Sequence, residues 1–154
     1  MGIGMGFAIA AVVVVHPDRP IVAVSGDSAI GFSGMEMETA CRYSQPVRIV
    51  VLNNGGIGGG IAEFPKDRGQ LPPRVLTIGA RYDKMMEAFG GQGWYVEDPK
   101  DLRGALDAAM AFKGPAVVNV RLHHAAGCKP QRFDWHTSLR QRLLTIMAGC
   151  PFPP

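Results

Sequence analysis

The chain has 154 residues, 47% of them hydrophobic and 19% charged, with a formal net charge of +3. That length suffices for one domain with a full core, and that balance excludes a disordered polymer. The charge is mild and no run of Lys and Arg is interleaved with aromatics, which argues against a nucleic-acid partner.

Residues 1–15 are apolar almost throughout. They lack the basic start and cleavage site of a secretory signal and are too short for a membrane span, so a buried helix packed on a sheet is expected. Gly2, Gly4 and Gly6 invite a dinucleotide-binding reading, but no strand precedes them. Two apolar runs follow, residues 21–24 and 47–52, and each stops abruptly at small polar residues. This is the pattern of buried parallel strands emptying into loops. The first ends in Gly26-Asp27-Ser28-Ala29, the second in Asn53-Asn54-Gly55-Gly56. Between them Ser33-Gly34-Met35-Glu36 has the form of a capping box, and Met35, Thr39, Ala40 and Tyr43 would share one side of the helix it starts.

A right-handed crossover brings both strand ends to one sheet edge, and with them Asp27 and Asn54. A carboxylate and an amide oxygen are hard ligands, suited to Mg2+ or Ca2+ rather than zinc. A backbone carbonyl of the Gly55-Gly56 segment would supply a third oxygen. Amides around Ser28 and Ala29, at the helix start, are placed for phosphate oxygens. By themselves Gly-Asp-Ser and Asn-Asn-Gly-Gly are ordinary turn sequences. Placed at the ends of two parallel strands, they read as a metal-bridged diphosphate site where such sheets bind ligands.

The remainder alternates in the same way. Residues 55–74 form a long loop rich in Gly and Pro. Tyr82, Met85, Met86 and Phe89 have helical spacing, and Gly90-Gly91 would end that helix. Trp94-Tyr95-Val96 reads as a strand, and Asp98-Pro99 starts a helix with Leu102, Leu106, Ala109 and Met110 on one face, which Lys113-Gly114 ends. Residues 115–122 read as the last strand. The expected fold is α/β, a doubly wound parallel sheet with helices on both faces. The expected division is a cofactor-binding domain over 1–125 and a linker with a short helix over 126–154, where Leu139, Leu143, Leu144 and Met147 make an apolar stripe.

Cys41, Cys128 and Cys150 are odd in number and lack zinc-type spacing, so a reduced, cytoplasmic chain is expected, with Cys41 a small buried hydrophobe. His123, His124, Cys128 and His136 fit no common metal-ligand spacing either.

Gly26-Asp27-Ser28, then 24 residues, then Asn53-Asn54 resembles the signature of thiamine-diphosphate enzymes. The longer runs GDSAIGFSGMEMETACRYSQPVRIVVLNNGGI and ARYDKMMEAFGGQGWYVEDPKDL resemble the oxalyl-CoA decarboxylase and 2-hydroxyacyl-CoA lyase group, and the likeness extends to about Thr137. The resemblance implies the thiamine-diphosphate-binding fold, with thiamine diphosphate and Mg2+ as cofactors. Gly26, Asp27, Ser28, Ala29, Asn54, Gly56 and Ile57 would bind them, and Asp27, Asn54 and the Gly56 carbonyl would hold the metal. It implies cleavage of a carbon–carbon bond next to the carbonyl of an acyl-CoA thioester, with the cofactor as electron sink. The resemblance also offers Lys129 or Arg132 as contacts of CoA phosphates, against the alternative that this stretch is a solvated basic linker.

Family enzymes carry further domains, one of which binds the pyrimidine and supplies its activating glutamate. No residue here matches that role, so a pyrimidine-binding domain or subunit, within a homo- or hetero-oligomer, is expected as partner. Relatives usually have a tyrosine after Asn-Asn-Gly-Gly-Ile, where this chain has Gly58. That departure leaves a second reading, a non-catalytic remnant or interaction subunit. A nicotinamide-dependent dehydrogenase would share the sheet but lacks the strand-first glycine fingerprint.

Overall fold

The computed structural model describes residues 1–15, 19–58, 67, 69 and 71–124. Four parallel strands form one sheet: β1 (Ile21–Gly26), β2 (Val47–Asn53), β3 (Gln92–Val96) and β4 (Ala116–Arg121), in the order β1-β2-β4-β3. Val24, Val50, Val118 and Trp94 stand in one row across it. Because side chains alternate, Val47, Ile49 and Val51 enter one face while Val50 enters the other. Both faces of β2 and β4 are covered, which is why their sequences are nearly continuous in Val and Ile.

The first face carries four helices: α1 (Gly4–Val14), α2 (Asp27–Ser33), α3 (Glu36–Arg42) and α4 (Tyr82–Ala88). Met5, Ile30, Met37 and Met86, one from each helix, pack with Ile49, Val51 and Val117. Each such side chain removed from water contributes about 1.5–3 kcal/mol. The second face carries α5 (Leu102–Ala111), whose Ala105 and Ala109 sit on Val96, Val118 and Val120. Arg48 reaches under this helix, and its Nε donates to the Ala109 carbonyl at 3.2 Å and its guanidinium to those of Met110 and Phe112. It satisfies the orphan carbonyls of the helix end. Burial pushes its pKa down.

The doubly wound parallel sheet with helices on both faces is present, with unequal cover. α5 lies over β3 and β4, so Val22 and Val24 of β1 remain 48% and 63% exposed. Several local expectations are corrected. The helix after β1 begins at Asp27 itself, and the chain breaks at Gly34-Met35 into two helices. The Ser33–Glu36 capping box does not form, because the Ser33 hydroxyl turns inward, buried, and Met35 occupies the cap. Since the helix is phased from Glu36, its buried face is Met37 and Ala40, while Met35 and Tyr43 are exposed. α1 buries only Met5 and Ala8, leaving Phe7 and Val13 in the open. Met110 likewise lies outside the buried stripe of α5. Cys41 packs against the core with its Sγ 3.4 Å from Met86 Sδ, and burial raises its pKa. No helix among the described residues is long and apolar enough to cross a membrane.

Candidate cofactor-anchoring site

β1 and β2 run side by side in register, with Gly26 opposite Leu52, so Asp27 and Asn54 emerge at the same edge. Gly26 ends the strand and caps α2. Asp27, the first residue of that helix, is 1% exposed. Three backbone amides compensate its burial. Ser28 N–H donates to Oδ1 at 2.8 Å, and Gly55 and Gly56 N–H donate to Oδ2 at 2.8 and 3.1 Å. A carboxylate offers about four lone-pair positions, so Oδ1 keeps one for a further partner.

Asn54 meets Asp27 through a shared donor. The Gly56 N–H lies 3.3 Å from Asn54 Oδ1 as well as 3.1 Å from Asp27 Oδ2. Asn54 Nδ2 donates to the Gly58 carbonyl at 3.0 Å, which turns its Oδ1 toward the carboxylate. Gly58 and Gly55 have φ of 78° and 75°, a region that side chains disfavour, and this explains two of the glycines in the loop. Gly56 pairs with Val75 in an antiparallel bridge whose hydrogen bonds are Ile57 N–H to Arg74 and Leu76 N–H to Gly55. In such a pair the residue's own N–H and C=O both face away from the opposing strand. The Gly56 carbonyl therefore lies on the side of Asp27 and Asn54.

A buried carboxylate oxygen and a side-chain amide oxygen thus share one backbone amide, and a backbone carbonyl faces their side. This set fits a divalent cation of the Mg2+ or Ca2+ type. The Ser28 amide is not free, as the sequence reading had it, because Asp27 takes it; Ala29 follows in the first turn, where helix amides have no intrahelical acceptor. Ser28 and Ile57 both line a groove of about 390 Å³ together with Phe32 and Tyr82. On the other side of the loop, Asn54 and Gly55 border a cleft of about 440 Å³ that also involves Glu97, Arg121, His123 and His124.

Sequence reasoning missed Tyr82 here. It is half-buried on α4, and burial raises its pKa, with the Asp27 carboxylate adding to the effect. It also missed that Asn53 is 2% exposed and belongs to a polar cluster with Asn119 and Asp83. The signal was present: Asn119 interrupts the apolar run of β4, and a polar side chain in a buried strand requires partners. Lys129, Arg132, Cys128, His136 and the helix proposed around Leu143 lie outside the described residues.

Residues 1–120 match the family model described as thiamine pyrophosphate enzyme, C-terminal TPP binding domain. The chain belongs to this family. A 2-hydroxyacyl-CoA lyase of Oryza sativa subsp. japonica is 44% identical over 139 residues, covering 87% of this chain and 24% of that protein. An oxalyl-CoA decarboxylase of Escherichia coli (strain K12) is 49% identical over 127 residues, covering 82% and 22%. Among solved structures, the thiamine diphosphate-dependent 4-hydroxybenzoylformate decarboxylase of Rhodococcus jostii RHA1 superposes with a TM-score of 0.64 at 26% identity, covering 80% of this chain and 23% of that one. The chain therefore spans about a quarter of the length of the relatives it matches. The resemblance read from Gly26-Asp27-Ser28 and Asn53-Asn54 is borne out at the level of the family and its cofactor.

Proposed function

We propose that this chain is the diphosphate-anchoring domain of a thiamine-diphosphate- and Mg2+-dependent carbon–carbon lyase acting on 2-hydroxyacyl-CoA or oxalyl-CoA. The observation that carries the reading is the convergence of Asp27 and Asn54 on one amide, that of Gly56. Asp27, Asn54 and the Gly56 carbonyl would hold the metal, which in turn neutralises diphosphate charge. Gly26, Ser28, Ala29 and Ile57 would line the cofactor's seat. When bound, the cofactor supplies the electron sink for carbon–carbon cleavage. The chain's own part is to bind, orient and keep water from the diphosphate. Residues 1–125 are the anchoring unit in this reading and 126–154 a C-terminal linker with a short helix, where Lys129 or Arg132 would touch CoA phosphates.

The proposal includes a pyrimidine-binding domain as partner, from another chain or another part of the protein, within an oligomer. The apolar rim of the groove favours this, since Phe32 is 68% and Ile57 39% exposed beside Ser28. The test is calorimetric titration with thiamine diphosphate, with and without Mg2+, alone and with a pyrimidine-domain chain added. Binding that requires Mg2+ and vanishes in Asp27→Ala is expected. Metal-independent binding, or none even with the partner, would overturn the anchoring role and favour a non-catalytic interaction subunit.

A further inference from the structure

The buried polar cluster behind the loop has no part in holding metal or diphosphate, yet it begins at the residue next to Asn54. Asn53 Nδ2 donates to the Ala80 carbonyl at 2.9 Å and to Asn119 Oδ1 at 3.2 Å. Asn119 Nδ2 donates to the same Ala80 carbonyl at 2.8 Å and to Asp83 Oδ1 at 3.1 Å. Arg81 Nε then donates to both oxygens of Asp83, at 2.9 and 3.1 Å, and its guanidinium stacks 4.3 Å over the Tyr95 ring. All four amide hydrogens of the two asparagines have acceptors. Asn53, Asn119 and Asp83 are each no more than 2% exposed.

A cluster of this kind is a costly way to fill a core, because apolar side chains of the same volume would stabilise at least as well. What it adds is a fixed setting. It ties the carboxyl ends of β2 and β4 to the start of α4, at the point where β2 becomes the loop that meets Asp27. We infer that Asn53, Asn119, Asp83 and Arg81 are positioning residues for the cofactor anchor. They hold the end of β2 where the Gly55 and Gly56 amides reach the Asp27 carboxylate and the Asn54 oxygen shares the Gly56 amide with it. The first asparagine of the pair is thereby a strut and the second a ligand. Partners that orient metal ligands in this way are worth about 10–100-fold in metal affinity.

The inference rests on the proposed function only in its affinity arm, so the experiment has two arms. The first is amide hydrogen exchange at Gly55 and Gly56, which reads the loop's attachment to Asp27 without any cofactor. The second is Mg2+-dependent affinity for thiamine diphosphate, measured with the pyrimidine-domain chain present. The variants are Arg81→Met, altered at a half-exposed position, Arg81→Lys as the conservative rescue, and the double variant Arg81→Met/Asp83→Asn, which removes the charge pair and keeps both the shape and an oxygen for the Asn119 amide.

In Arg81→Met and the double variant, exchange at Gly55 and Gly56 is expected to quicken at least tenfold while Ile49 and Val51 stay protected. Affinity is expected to fall about 10–100-fold, with partial recovery in Arg81→Lys. Wild-type exchange at Gly55 and Gly56 in folded Arg81→Met would overturn the inference, whether or not the double variant folds. If the wild-type chain binds no cofactor, the proposed function fails, and the exchange arm still decides the positioning role.

Discussion

Asp27→Asn separates what the carboxylate does for the fold from what it does for a metal. The change preserves shape and removes the charge that three amides address. In its better orientation the new amide keeps its oxygen on the Gly55 and Gly56 N–H groups and turns its NH2 toward the Ser28 N–H, donor against donor. Two hydrogen bonds to a charged acceptor become neutral ones, a loss of about 1 kcal/mol each, and one amide near the core loses its acceptor at about 1–3 kcal/mol. The sum is roughly 3–5 kcal/mol, a large part of the ~5–15 kcal/mol that holds a domain together.

At about 2–4 °C per kcal/mol for a chain of this size, melting should fall by roughly 6–20 °C. The assay is thermal unfolding in excess EDTA without cofactor, so that no metal contributes on either side. A melting point within about 2 °C of wild type would refute the reasoning. It would mean that the amides do not need the charge and that Asp27 acts on the metal alone. The expected result would show that loss of cofactor binding in Asp27 variants is partly loss of the loop.

Gly58→Ala should destabilise by about 1–2 kcal/mol, because φ is 78° there, and should weaken cofactor binding by moving the carbonyl that orients Asn54; an unchanged denaturant midpoint would contradict this. Gly93→Ala should lower stability by about 1–3 kcal/mol or more, since its Cβ would stand 2.4 Å from the backbone oxygen of Asp83, and wild-type melting would show that α4 moves aside freely. Burial alone would raise the Asp83 pKa, but the Arg81 and Asn119 hydrogen bonds and the Arg81 charge outweigh it and leave the carboxyl below its ordinary range. A depressed carboxylate stabilises the fold above its unfolded pKa and loses that contribution as pH falls through the folded value, so stability should drop below roughly pH 4. Asp83→Asn should flatten that drop in guanidinium titrations, and an equal acid slope in both proteins would assign the drop to other groups.

How far the site could be read from sequence follows from the range of the interactions that make it. The strands were legible because runs such as Ile49-Val50-Val51 have one reading when bounded by small polar residues. Asp27 and Asn54 were legible because parallel pairing dictates where two such strand ends lie. The Ser33–Glu36 cap is a local signal that the fold overrides: α2 already runs through Ser33, whose hydroxyl is buried, so Met35 occupies the cap of α3. The Ser28 amide, at the start of α2, is taken by Asp27 Oδ1 rather than left open to a phosphate. Asn53 was the least legible residue of all. Next to Asn54 it reads as half of one motif, yet their side chains leave the strand end in different directions, one into the core and one to the loop. A pair of identical residues thus does two jobs, and only the fate of its neighbours, Asn119 and Asp83 behind and Gly58 in front, tells which asparagine does which.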